Sequence, residues 1–138
     1  LYNRFLQSYC PGSTFKPITA AIGLTSGKLT TDTTFNYSGL KWQKNSSWGD
    51  VYITTLTAYN GPKNIANALI HSDNIFFGQA AMQIGKDTFC SGLDKLGFNE
   101  DIDKTIKFPL TFKKSQYSSY LFFASSFSTS LYLFNVKS

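Results

Sequence analysis

The chain has 138 residues, 42% hydrophobic, 17% aromatic and only 15% charged, which is enough apolar material for one packed domain. That balance excludes a disordered, collagenous or low-complexity chain. The net charge of +5 resides in Lys104, Lys107, Lys113, Lys114 and Lys137, because the eight basic and eight acidic residues before them cancel, so residues 1–103 offer no surplus for nucleic acid.

In chain order, the first predicted element is a helix from Ser13 to Leu24. Pro11 and Gly12 break what precedes it, Ser13 is a good N-terminal residue, and Ile18, Ala20, Ala21, Ile22 and Leu24 supply an apolar body. Pro17 falls within the first turn or so, where a missing N–H costs little, and Gly27 is the expected stop. Residues 28–61 change character: threonines, Gly39, Asn45-Ser46-Ser47 and Gly49-Asp50 alternate with short β-prone runs such as Val51–Thr55. This reads as an irregular excursion with one or two short strands, with Trp42 and Trp48 as its packing anchors. Helical pattern returns over Asn64–His71, halts at Ser72-Asp73-Asn74, resumes over Ile75–Ile84 with Gly85 as cap, and ends in a short helix over Asp87–Leu96 closed by Gly97. From Ser115 to Val136 no residue is charged, yet ten of those 22 positions are Ser, Thr, Gln or Asn. That is too polar for a membrane span and lacks a helix or strand period.

Metal and nucleotide chemistry find no foothold. Cys10, Cys90 and His71 stand at none of the spacings of common zinc or iron–sulfur sites, and there is no glycine-rich phosphate loop, so neither metal nor cofactor is expected. Spacing leaves a Cys10–Cys90 disulfide open. The chemistry-bearing pair is Ser13 and Lys16. Three apart on a helix they share a face, so the amine can reach the hydroxyl. A serine becomes nucleophilic when a neighbour takes its proton, and a lysine does so only when burial brings its pKa toward neutrality. The same spacing in Ser38-Gly39-Leu40-Lys41, with no preceding turn and no helix behind it, shows how readily chance supplies the pattern. An N-terminal serine and a surface lysine would look the same. Ser72-Asp73-Asn74, between two helices, adds a second hydroxyl and an amide that can hold a peptide group, although Asp73 or Asn74 would also serve as a helix cap. His71, just before the triplet, reads as a helix C-terminal residue rather than a catalytic one.

Ser-x-x-Lys followed by Ser-Asp-Asn is the pattern of penicillin-binding proteins and class A β-lactamases. Together with Asn3-Arg4-Phe5, PGSTFKPITAAIGL, Lys41-Trp42-Gln43-Lys44, Ser47-Trp48-Gly49, SDNIFF and Leu96-Gly97-Phe98, it resembles the transpeptidase domain of class B penicillin-binding proteins, most of all the low-affinity, methicillin-resistance type of Gram-positive bacteria. The resemblance runs from residue 1 to about 114. It implies an α/β (α+β) transpeptidase fold, present here mostly as its helical part with the sheet largely missing. It also implies a D-Ala-D-Ala transpeptidase that cross-links peptidoglycan stem peptides and is acylated by β-lactam antibiotics. Ser13 would be the nucleophile, Lys16 its base, Ser72 the relay to the leaving amine and Asn74 the residue that orients the substrate backbone. The Ser13 N–H would supply half of an oxyanion hole. The parent protein would be membrane-anchored and act on the extracellular face of the cell membrane, with its start upstream of Leu1.

The departure from the family lies in the third motif, Lys-[Ser/Thr]-Gly on an edge strand. Lys95-Leu96-Gly97 has a leucine where a hydroxyl is needed, and Lys104-Thr105-Ile106 lacks the glycine. Residues 115–138 read as a divergent Ser/aromatic tail, a truncated or frame-shifted end. Two other functions follow from the same motifs. One is a β-lactamase or β-lactam sensor, although residues 1–99 contain no glutamate, so a class A deacylating carboxylate is not evident and that role would fall to an aspartate. The other is an inactive truncated product. The geometric expectation is sharp: the Ser13 hydroxyl, Lys16 amine and Ser72 hydroxyl should converge to roughly 2.6–3.5 Å.

Overall fold

The computed structural model describes residues 11–98. Cys10 and its pairing, Asn3-Arg4-Phe5, Lys104-Thr105-Ile106 and the Ser/aromatic tail lie outside the described residues. The described part is a mixed structure of helices and a small sheet. Its elements are α1 (Lys16–Thr25), β1 (Lys41–Trp42), β2 (Ile53–Thr54), α2 (Ile65–Ile70), α3 (Asn74–Ile84) and α4 (Lys86–Lys95).

α1 starts later than its apolar pattern suggests. Gly12 takes a left-handed φ of +55°, and residues Gly12–Phe15 form a 3₁₀ turn that leads into the helix at Lys16. Pro11, not Ser13, occupies the N-cap of that turn, so the Ser13 hydroxyl is not spent on capping. Pro17 falls in the first turn of α1, where its missing N–H has no partner to lose. The buried face also departs from the simple apolar reading: Lys16, Thr19, Ala20, Ile22 and Gly23 are buried, whereas Ala21 and Leu24 face solvent. The helix stops at Gly27, whose φ of +69° costs a residue without Cβ little, and the Leu29 N–H returns to the Gly23 carbonyl at 3.0 Å.

α3 is the centre of the fold. Eight of its eleven residues are buried, and Ile75, Phe76, Phe77 and Ala80 are fully so. α1, α2 and α4 pack around it, with β2 against it as well. Aromatic contacts join the elements: Phe35 meets Phe76 edge to face at 5.0 Å, and Phe15 meets Phe89 at a tilt at 6.2 Å and Phe98 edge to face at 5.9 Å. Gly92 of α4 faces Ile22 of α1 so closely that a Cβ there would stand 2.7 Å from Ile22 Cγ2.

The excursion of residues 28–61 folds onto the N-terminal end of α3. β1 and β2 pair antiparallel, with Lys41 opposite Thr54 and Trp42 opposite Ile53. Between them, Asn45 caps a 3₁₀ turn at Ser46–Trp48, and Trp42 and Trp48 meet edge to face at 5.9 Å, anchoring the loop on each other. A bridge between Thr34 and Asn64 closes its base.

Candidate active site

Two local devices build the site. The first is the 3₁₀ turn, which leaves Ser13 exposed while Lys16, one turn on, is 2% exposed. The second is the α2–α3 turn. Asp73 caps α3 by accepting from the N–H groups of Ile75 (2.9 Å) and Phe76 (3.4 Å), and Ser72 takes a φ of +51°. Left-handed backbone is uncommon for a residue other than glycine, and it concentrates at functional sites. The turn points Ser72 and Asn74 at the lysine.

The four residues singled out by sequence meet at one amine. Lys16 Nζ lies 3.1 Å from Ser13 Oγ, 2.9 Å from Ser72 Oγ, 2.6 Å from the Ser72 carbonyl oxygen and 2.6 Å from Asn74 Oδ1. Ser72 Oγ is 3.0 Å from Ser13 Oγ, so the two hydroxyls and the amine form a closed triangle within the expected range. The surface-lysine reading of Lys16 fails on its burial.

The partners around Nζ can be met by a neutral amine as well as by an ammonium. The Ser72 carbonyl and Asn74 Oδ1 can only accept, and a neutral amine has two N–H groups to give them. Its lone pair then remains for a hydroxyl proton from the serines. Burial supplies the driving force, lowering the Lys16 amine from 10.5 to about 8, with the nearby Asp73 charge acting in the opposite direction. At neutral pH a useful fraction of the amine is therefore free to take a proton.

Asn74 is committed at both ends. Its Oδ1 faces Lys16, and its Nδ2 donates to the Thr54 carbonyl of β2 at 2.9 Å. The side chain is 8% exposed and in this arrangement holds the lysine.

Sequence reasoning missed three contributors. Thr54 lies on a strand anticipated only as a β-prone run. Tyr37 was one aromatic residue among many, yet its hydroxyl donates to Asp73 Oδ2 at 2.5 Å. Tyr59 stacks on His71 at 4.1 Å and 10°, with Lys63 Nζ 3.4 Å above its ring. No local pattern marks these residues, because each reaches the site through a contact distant in sequence. His71 is the C-cap of α2, just past its last residue, and contributes this stacking face. Among the described residues no cluster of three metal-ligating side chains occurs.

Known proteins share this arrangement of elements. The family described as "Penicillin binding protein transpeptidase domain" matches residues 1–129. "Penicillin-binding protein 3" of Bacillus subtilis (strain 168) is 46% identical over 99 residues, which is 72% of this chain and 15% of that protein. The solved D,D-transpeptidase domain of a peptidoglycan glycosyltransferase from Eggerthella lenta superposes with a TM-score of 0.66 at 32% identity. That match covers 79% of this chain and 25% of the solved one, so the chain spans a quarter or less of these relatives.

Proposed function

The chain belongs to the penicillin-binding protein transpeptidase domain family, and from that premise we propose that it carries the nucleophilic half of a serine D-Ala-D-Ala transpeptidase site. The observation that carries this reading is the triangle of Ser13, Lys16 and Ser72 around a buried, pKa-lowered amine.

The steps follow from that geometry. Neutral Lys16 Nζ takes the Ser13 hydroxyl proton as Oγ attacks the carbonyl carbon of the penultimate D-alanine. Negative charge gathers on the carbonyl oxygen, toward the Ser13 N–H at the start of the 3₁₀ turn. The proton held by Lys16 passes through the Ser72 hydroxyl to the leaving amine, the C–N bond breaks, and an ester on Ser13 remains. The amine of a second stem peptide then attacks the ester, and the protons retrace their route. Asn74, held by Lys16 and Thr54, keeps a second lone pair on Oδ1 and a second N–H on Nδ2 with which to orient the substrate's peptide group. A β-lactam enters the same first step, and its opened ring stays on Ser13.

The finer reading is a class B enzyme of the low-affinity, methicillin-resistance type, whose membrane-anchored parent works on stem peptides at the extracellular face of the cell membrane. The wording of PGSTFKPITAAIGL and SDNIFF supports it. The 138 residues contain no Lys-[Ser/Thr]-Gly triplet, so on this reading they lack the carboxylate clamp and the second oxyanion N–H. Losing one oxyanion donor alone costs about 10²–10³ in rate. Residues 1–138 are therefore expected to form no covalent adduct with a fluorescent penicillin, whereas the same segment joined to a family strand bearing that triplet labels at Ser13. Mass spectrometry reads the result, and a penicilloyl increment on Ser13 in the 138-residue chain would sink the requirement for the third motif. Failure of the extended chain to label would sink the acyl-serine reading itself.

A further inference from the structure

The middle residue of the Ser-Asp-Asn triplet has a second oxygen that the helix cap does not use. Asp73 is 1% exposed, its Oδ1 accepts from the α3 N–H groups, and its Oδ2 accepts from the Tyr37 hydroxyl at 2.5 Å. Tyr37 is half-buried on the loop before β1, thirty-six residues upstream. We propose that Tyr37 is a positioning residue of this site, its hydroxyl fixing the Asp73 carboxylate and absorbing part of its charge so that the neighbouring Lys16 amine stays a base.

Two requirements oppose each other at Asp73. A buried carboxylate caps α3 and holds the strained Ser72 turn more firmly than an amide would, because a charged acceptor binds N–H groups more strongly than a neutral one. The same carboxylate attracts a proton to Lys16, which works against the free amine that proton abstraction needs. Hydrogen bonds to a carboxylate spread and stabilise its charge and weaken its pull on other cations. The Tyr37 hydroxyl does this with a donor that stays protonated, since burial and the bond to Asp73 push its ionisation well above the ordinary tyrosine range.

Among the described residues no other charge in contact takes over the task. On the loop, the Tyr59 hydroxyl is an uncharged neighbour of both Tyr37 and Asp73, and Lys63 stands 5.6 Å from the centroid of the Tyr37 ring, with its amine donating to the Tyr59 carbonyl. His71 of the α2–α3 turn stacks on Tyr59. The charged residues of α4 (Lys86, Asp87, Asp94 and Lys95) and Lys41 of β1 lie toward solvent. Asp73 is the charged group that acts on Lys16.

The inference rests on the acyl-serine reading only for its consequence; its test is a titration of Lys16 itself. The 138-residue chain, carrying lysine labelled with ¹³C at Cε, is titrated by NMR as wild type, Tyr37→Phe, Asp73→Asn and the double variant. Tyr37→Phe is expected to move the Lys16 midpoint alkaline and Asp73→Asn to move it acid, each by roughly one unit or less. Tyr37→Phe in the Asp73→Asn background should add no alkaline shift. A common loosening of the fold would move both single variants the same way and so overturns the proposal, as does an unmoved midpoint in Tyr37→Phe. If Tyr37→Phe does not fold, Asp73→Asn, whose amide can still cap α3, decides: no acid shift overturns it. Penicillin labelling of the extended chain is scored separately, so loss of labelling with the predicted shifts intact counts against the enzyme reading alone.

Discussion

Lys16 shows how much one side chain's surroundings decide. Its amine is ordinary in sequence, yet its burial and four oxygen partners make it a base near neutrality. The same shift links stability to pH. The folded amine loses its proton at about 8 and the unfolded one at 10.5, so between those values the unfolded state binds more protons and stability rises with pH. The tyrosines act oppositely. Tyr37 is raised, and burial pushes Tyr59 up to about 12, so above their ordinary value of 10.0 the unfolded chain releases protons that the folded chain keeps. Urea unfolding as a function of pH should therefore show stability rising from about pH 8 to a maximum near pH 10 and falling beyond it. Lys16→Met should remove the rising limb and leave the falling one, and a Lys16→Met profile that still climbs over that interval would show that another group is responsible.

At the scale of elements, α1 is a wedge whose approach to its neighbours depends on two glycines. A Cβ on Gly23 would stand 2.3 Å from Leu29 Cδ1, and one on Gly92 would stand 2.7 and 2.9 Å from Cγ2 and Cγ1 of Ile22. Ile22 is 4% exposed and its γ carbons branch directly from Cβ, so it has little freedom to give way. Gly92→Ala gains up to about 1 kcal/mol of helix propensity and loses about 1–3 kcal/mol to overpacking. The net expectation is a loss of stability in chemical denaturation, and Ile22→Ala should cost less in the Gly92→Ala background than in the wild-type chain. Because α1 carries Lys16 and α3 carries Asn74, the same displacement should disturb the amine's contacts, which the Lys16 NMR titration would also record.

The molecule as a whole is organised by the burial of α3. A helix whose partners are α1, α2, α4 and β2 opens only when those packings are lost, whereas the 28–61 excursion has two-residue strands and much exposed backbone. Amide exchange should be slowest at Phe76, Phe77 and Ala80 and fast across residues 43–52; similar protection in both regions would contradict this hierarchy. Leu56 at 89% exposure and Ile70 at 75% leave apolar surface uncovered. In the longer chain proposed for the labelling experiment such surface has further structure to pack against, so the 138-residue chain is expected to be the less soluble of the two, as sedimentation after concentration would show.

What the sequence determined by itself is local. Ser-x-x-Lys and Ser-Asp-Asn named the four residues that converge. Apolar periodicity placed the helices to within a few residues, and Gly27, Gly85 and Gly97 marked their ends because positive φ is a requirement of the turn alone. The start of α1 was misplaced because Ser13 has the chemistry of a cap but stands inside a 3₁₀ turn. The tertiary structure decided what those residues can do. Whether Lys16 is a surface cation or a buried base depends on α3 and the α2–α3 turn, more than fifty residues away. The hold of Thr54 on Asn74 and of Tyr37 on Asp73 likewise joins segments that no short pattern links. A cap or a turn is set by neighbours along the chain, but desolvation and hydrogen bonding in a closed site are set by whatever the fold brings within a few ångströms.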